Sequence, residues 1–389
     1  MLTLIKNGYV YAPNEIGYKD VLIAGGKIAY LGDNLTVPDD FPVQVIDATD
    51  LLVVPGFIDS HVHIIGGGGE GGFKTRTPEL ILSDLTTSGI TTVIGVLGTD
   101  GTTRKMEDLL AKARALEEEG VSCWIHTGSY QVPVKTLTGR IEEDIILIDK
   151  IIGVGEIAIS DHRSSEPTFE EFVKIATAAR NGGILSGKAG LLEIHLGDGK
   201  EKLALLHEVA DRTNIPIRHF HPTHINRNEE LFQAGIDYAK RGGYVDFTTS
   251  TIPQFLEEGE VKCSTALRLM LEEGVPIGCI TFSSDGQASL PLFDATGEYQ
   301  GLQVGKVSSL FQEVRDAVLI EGIPLETALQ VITANPAQVL RLNQKGCLQV
   351  EKDADLVLLT KDTLQIDTVI AQGKVMVKHG QTLVKGTFE

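Results

Sequence analysis

A chain of 389 residues with 42% hydrophobic and 22% charged residues can bury a large core and reads as globular and soluble. Its 53 acidic against 34 basic residues give a formal net charge of −19, which argues against partners such as nucleic acid or an anionic membrane. An anionic substrate would need local arginines to overcome that field.

The opening stretch MLTLIKNGYVYAPNE turns polar too early for a secretory signal, and no apolar run reaches the roughly 18 residues of a membrane helix. Cys123, Cys263, Cys279 and Cys347 are scattered without CxxC spacing. That argues against a disulfide framework or a cysteine zinc site and leads us to expect a cytoplasmic protein. In the first fifty residues, LTLIKNGYVYA and KDVLIAGGKIAYLG hold β-rich runs broken by Asn-Gly and Gly-Gly, both hairpin signals. In the middle, strand-like runs (TTVIGVLG, EIAIS, LLEIHLGD, YVDFTTS, GCITFSSD) alternate with helical ones (RKMEDLLAKARALEEEG, FEEFVKIATAAR). That alternation predicts parallel βα units, hence an α/β fold with a TIM-like (β/α)8 barrel over 56–340. The end of the chain returns to short strands, so 1–55 and 341–389 are expected to form one small β domain.

Chemistry concentrates where the apolar runs stop. In PGFIDSHVHIIGGGGEGG, His61 and His63 are two apart, so on a strand both imidazoles face one side. An HxH alone is weakly specific, because polar residues are common at strand ends. His195 in LLEIHLGD, His224 in FHPTHINRN and Asp285 in TFSSDG repeat the pattern in separate βα units. Imidazole and carboxylate are the ligands that zinc-like ions accept. Four neutral histidines need anions to balance two dications; Asp285 is one, and a bridging group must be another.

This constellation resembles the amidohydrolase superfamily. The longer motifs PGFIDSHVHIIGGGGEGG, TRTPE, GVLGTDG, AISDHRS, PTHINRN, SSDGQAS and VKGTFE are similar, over nearly the whole chain, to those of its isoaspartyl dipeptidase family. The resemblance implies a barrel with a small β-sandwich, two divalent ions (most often zinc) and cleavage of β-aspartyl dipeptides. It also implies a homo-oligomer, an octamer. The family's usual bridge is a carbamylated lysine upstream of AISDHRS. Here IIGVGEIAISDHRS puts Glu156 at that place. A carboxylate matches the charge of a carbamate but is shorter, and Gly155 would let the backbone come nearer. The competing reading is a salt-bridged Glu156 beside a single metal. Lys188 in SGKAG lies in the wrong βα unit to replace the carbamate.

The same resemblance assigns the substrate groups. Glu70 grips the free α-amino group, Tyr130 polarises the scissile carbonyl, and Arg163 and Arg227 hold carboxylates. Ser289 and Thr99 line the pocket. Asp285 takes the proton of a metal-bridging hydroxide and passes it to the leaving amine. His126, His162, His207, His219, His221 and His379 have no counterpart and read as surface or packing residues. Two rivals remain: a cyclic-amide hydrolase of the dihydroorotase or hydantoinase kind, and a non-catalytic scaffold that has lost its metals. The intact His61, His63, His195, His224 and Asp285 count against the second.

Overall fold

The computed structural model describes residues 2–38, 42–293 and 299–389. Five strands come first: β1 (Leu2–Tyr11), β2 (Glu15–Ala24), β3 (Lys27–Gly32), β4 (Val43–Asp47) and β5 (Leu51–Pro55). The Gly25–Gly26 pair makes the β2–β3 turn, both residues at positive φ. Asn7-Gly8 does not make a hairpin, contrary to the expectation from sequence. It forms a bulge inside a continuous β1, where the register with β2 shifts between Ile5 and Gly8. Asn7 takes the left-handed conformation (φ 60°) and its N–H donates to Asp20 Oδ1 at 3.0 Å. A bulge and a tight turn both call for such a residue, so the dipeptide alone does not separate them.

The middle of the chain supplies eight short strands: β6 (Phe57–Val62), β7 (Ile90–Gly95), β8 (Ser122–Thr127), β9 (Ile151–Ile159), β10 (Leu191–Leu196), β11 (Phe220–Thr223), β12 (Val245–Thr248) and β13 (Ile280–Ser283). The first six form one parallel sheet in sequential order, and β12 and β13 a second parallel pair. Helices between them cover the outside, so nearly every strand residue is buried and the strands read as apolar runs without alternation. Hydrogen bonds join the two sheets at both edges. Ile225 N–H donates to Asp246 O (3.2 Å), and Asp285 N–H donates to His61 O (3.1 Å). A hairpin, β14 (Ser289–Phe293) and β15 (Tyr299–Val304), follows.

The chain closes with β16 (Leu356–Thr360), β17 (Ile366–Ala371), β18 (Lys374–Lys378) and β19 (Gln381–Thr382). These join the first five in one nine-stranded sheet, ordered β19-β18-β17-β16-β5-β1-β2-β3 with β4 beside β1. Its inner face has its own core, built on Ile5, Val21, Ile23, Leu356 and Ile370. Lys188 is structural. Its ammonium donates to the carbonyls of Ile145, Ile148 and Ile151 at 2.5–3.0 Å, tying the end of the helix Ile141–Leu147 to the start of β9.

Lys345 ties the terminal sheet to the parallel one. Its buried ammonium contacts Asp355 Oδ2 (2.6 Å), Asp353 Oδ2 (2.8 Å) and Ser122 Oγ at the start of β8 (2.6 Å). Lys345→Met strands the buried Asp355 carboxylate, whereas Asp353 keeps Lys27 at 2.6 Å, and we expect a loss of about 3 kcal/mol in urea unfolding. A Lys345→Met/Asp355→Asn double variant should recover part of that loss; an unchanged midpoint in the single variant would contradict this role.

Candidate active site

The expected side chains gather at the C-terminal ends of the parallel strands. His61 Nδ1 lies 3.0 Å from Glu193 Oε1. A carboxylate can only accept, so the imidazole carries its proton there. That leaves Nε2 as a lone pair facing Glu156 Oε2 and Asp285 Oδ1, each 3.5 Å away. His63 Nε2 is 3.1 Å from Asp285 Oδ1 and 3.7 Å from Glu156 Oε1. His224 has Nδ1 on Thr248 Oγ1 (2.5 Å) and turns Nε2 toward Glu156 Oε2 (3.8 Å). Two ligand sets result, His61/His63/Asp285 and His61/Glu156/His224; within each, one donor atom per residue lies within 4.8 Å of the others. His195 belongs to neither set. Its Nε2 donates to Asp161 Oδ2 (3.0 Å), while Nδ1 faces both the Tyr130 hydroxyl (2.8 Å) and Glu156 Oε2 (3.0 Å).

These residues meet the requirements of a divalent cation site. His61 Nε2, Glu156 Oε1 and Asp285 Oδ1 are buried without a hydrogen-bond partner among the described residues. Lone pairs of nitrogen and carboxylate oxygen point at one another, an arrangement that only positive charge between them makes favourable. Burial pushes the Glu156 and Asp285 carboxyls up, but the surrounding imidazoles outweigh it and hold both well below the usual range. Burial likewise opposes charge on His61, yet Glu193 and Glu156 raise it well above an ordinary histidine, so the site favours a second proton on its Nε2, a positive charge that a metal ion at that nitrogen would replace. The pocket therefore attracts a cation, and its mixed N/O donor set suits zinc-like ions.

The backbone aims these groups. His224 (φ 64°) and Asp285 (φ 52°) both sit in the left-handed region just past their strands, an uncommon state for non-glycine residues that turns each side chain inward. Gly155 is needed for a reason besides the one expected. A Cβ there would lie 2.7 Å from Glu193 Cβ, so the glycine lets β9 and β10 close around the carboxylate that orients His61.

Above the histidines opens a cavity of about 950 Å³, lined by Glu70, Thr99, Arg163, Arg227, Asp285 and Ser289 among others. Glu70 is held by the hydroxyls of two residues expected to line the pocket. Thr99 Oγ1 donates to its Oε1 (3.1 Å) and Ser289 Oγ to its Oε2 (3.2 Å), with Arg163 Nη1 3.6 Å away. Arg163 forks onto Asp161 through Nε (2.9 Å) and Nη2 (2.7 Å), and Arg227 Nη1 lies 3.8 Å from the same carboxylate. Burial works against the Asp161 charge, but Arg163 and His195 outweigh it and hold this acid far below its ordinary value. Tyr130 is buried, which raises its hydroxyl well above an ordinary phenol and keeps the proton on it.

Sequence reasoning did not assign roles to Glu193, Asp161 or Thr248. Glu193 had one signal: it stands two before His195 on a strand, and so shares its face. His126 and His221, expected as packing residues, are buried; His126 Nε2 lies 3.7 Å from Glu193 Oε2, and His221 Nε2 bonds Thr281 Oγ1 at 2.8 Å.

The match of residues 52–376 to the amidohydrolase family model agrees with this geometry, and the chain belongs to the amidohydrolase family. Within it, the chain is 47% identical to the β-aspartyl dipeptidase of Fervidobacterium islandicum AW-1, solved in complex with a β-Asp-Leu dipeptide; the alignment covers 98% of this chain and 97% of that one, with a TM-score of 0.92. An allantoinase of Enterococcus faecalis is 28% identical over 92% of this chain and 86% of its own length. A D-hydantoinase structure, 18% identical with a TM-score of 0.69 over 100% of this chain and 97% of that one, shares the fold.

If Glu193 fixes the His61 tautomer, Glu193→Gln should weaken zinc binding about 10- to 100-fold in a chelator competition while the far-ultraviolet circular dichroism stays unchanged. Wild-type affinity in that variant would remove the role.

Proposed function

We propose that this chain is a hydrolase that cleaves the β-aspartyl peptide bond of dipeptides at a centre of two divalent ions, zinc being the reading the donor set favours. The observation that carries this is the match between the cavity and the substrate's charges, under a likeness of 47% identity to a protein named as a β-aspartyl dipeptidase. A β-aspartyl dipeptide has a free α-ammonium, an α-carboxylate and a C-terminal carboxylate. Glu70 answers the first, and Arg163 and Arg227 answer the other two.

His61, His63, Glu156, His195, His224 and Asp285 are the residues we assign to hold the ions, and Glu156 would supply a permanent negative charge where a carbamate would otherwise be needed. Ions bound there supply Lewis acidity, lowering the pKa of a water and polarising the amide carbonyl. Asp285 accepts the proton of the attacking water and delivers it to the leaving amine. Tyr130, protonated throughout, donates to the oxyanion as it develops. Thr99 and Ser289 keep Glu70 turned toward the α-ammonium.

In this reading the eight parallel strands close as a TIM-like (β/α)8 barrel over 56–340. Residues 1–55 and 341–389 form a small β-sandwich domain. The protein works in the cytoplasm as a homo-oligomer, an octamer.

β-Asp-Leu should be turned over, and its N-acetylated form should lose about thirtyfold or more in kcat/KM through the missing ion pair with Glu70. Equal rates would remove that role, and turnover of dihydroorotate or hydantoin instead would favour the cyclic-amide reading. Asp285→Asn should retain the fold and lose turnover; wild-type kcat with full metal content would exclude Asp285 as the proton carrier. Metal-stripped enzyme should regain activity without bicarbonate, and Glu156→Gln should bind one of the two ions far more weakly. A reactivation rate proportional to bicarbonate would point to a carbamate instead.

A further inference from the structure

The chain holds 13 arginines. Nine have a carboxylate oxygen within 4.0 Å, as expected in a protein with so large an excess of acids. Four do not among the described residues: Arg180, Arg218, Arg315 and Arg341. Three of those four, Arg180, Arg218 and Arg341, line one small pocket of about 240 Å³. It lies at the end of the parallel strands opposite the histidines, where Leu191 opens β10 and the turn before β11 carries Arg218. His195 stands four residues further along β10, roughly 13 Å away along the strand.

No aspartate or glutamate lines this pocket. Arg180, on the helix Phe169–Ser186, has no hydrogen-bond or ion-pair partner among the described residues. Arg218 Nε donates to Gly242 O (3.0 Å), and its guanidinium sits 6.0 Å from the Tyr244 ring. Arg341 Nη1 donates to Lys188 O at 3.3 Å. Each therefore keeps most of its N–H groups free. Tyr244 and Gln338 also line the pocket, and neither side chain makes a hydrogen bond to another described residue. His219 adds no charge. Its Nε2 donates to Ala176 O at 2.9 Å, and burial pushes it down to about 4, with the Arg180 and Arg341 charges adding to the effect.

Three guanidinia from three separate elements line one space without a carboxylate; water screens the exposed Arg218 and Arg341 in part, and an anion between the three would relieve the repulsion that remains. We infer that this pocket binds a phosphate group, as inorganic phosphate or the head of a small phosphate ester. A phosphate concentrates close to two charges and several acceptor oxygens in a volume that three forks can address together; a monocarboxylate offers one charge and two oxygens. The pocket is also smaller than the ~300 Å³ at which sites for larger organic ligands begin.

The test is calorimetric titration of the metal-loaded enzyme at constant ionic strength, with inorganic phosphate in one arm and glycerol phosphate in the other. We expect saturable binding to one site per chain that is weakened about tenfold or more in both Arg180→Gln and Arg218→Gln. Turnover of β-Asp-Leu without phosphate should be unchanged in both variants, because neither residue touches the catalytic cavity; that readout also shows that they fold. Tighter binding of the ester identifies esters as the source, and tighter binding of the free ion identifies inorganic phosphate. Absence of saturable binding would overturn the inference, as would binding of equal strength in wild type and both variants, which would place the anion at the catalytic metals instead.

Discussion

Glu156 and Asp285 are carboxylates taken out of water to a place where, among the described residues, only imidazoles reach them. Moving one such charge into a protein interior costs several kcal/mol unless something nearby compensates. Neutral imidazoles compensate weakly, so the compensation needs positive charge, either a second proton on His61 or a metal ion among the imidazoles. The rest of the site can be derived from that constraint. Outer carboxylates, Glu193 on His61 and Asp161 on His195, fix where each imidazole carries its proton and so which nitrogen faces inward. Left-handed turns at His224 and Asp285 bring the last two groups into range.

The same logic of paired charge extends into the cavity. Asp161 holds His195 and Arg163 and lies near Arg227, so one carboxylate locates the histidine beside Glu156 and two arginines of the cavity. Arg163 turns Nε and Nη2 to Asp161 and leaves Nη1 near Glu70. The cavity is thus a ladder of alternating charges, and a ligand with one ammonium and two carboxylates can enter it by exchanging partners without leaving any group unpaired. In a chain of net charge −19, that local order overcomes the global repulsion of an anionic ligand.

Much of this was legible in the sequence because it depends on short periods. His61 and His63 show themselves through a spacing of two, and His195, His224 and Asp285 through the repeated step from apolar run to polar loop. Glu156 emerged by counting back from a shared motif. Glu193 did not, since a lone glutamate in LLEIH has no motif and its meaning lies in His61, 132 residues away. Asp161 was visible in AISDHRS, but its hold on three side chains needs strands β9, β10 and β11 side by side. The Asn7-Gly8 bulge was misread because the left-handed residue that marks it also marks a hairpin.

The terminal sheet has a consequence for how the protein is made. Strand β5 pairs with β16, so a strand completed at Pro55 waits for residues that begin at Leu356. At ~5–20 residues per second, that interval is roughly 15–60 s on the ribosome. Throughout it, Val53 and Val54 border an unfilled sheet edge, while the parallel strands behind them assemble one by one. Asp285, the last of the clustered histidines and carboxylates, emerges before β16 does. That cluster can therefore be complete in a nascent chain whose first strands still lack a neighbour, and the exposed edge of β5 is the place where a chaperone, or a mispaired strand from another nascent chain, would first take hold.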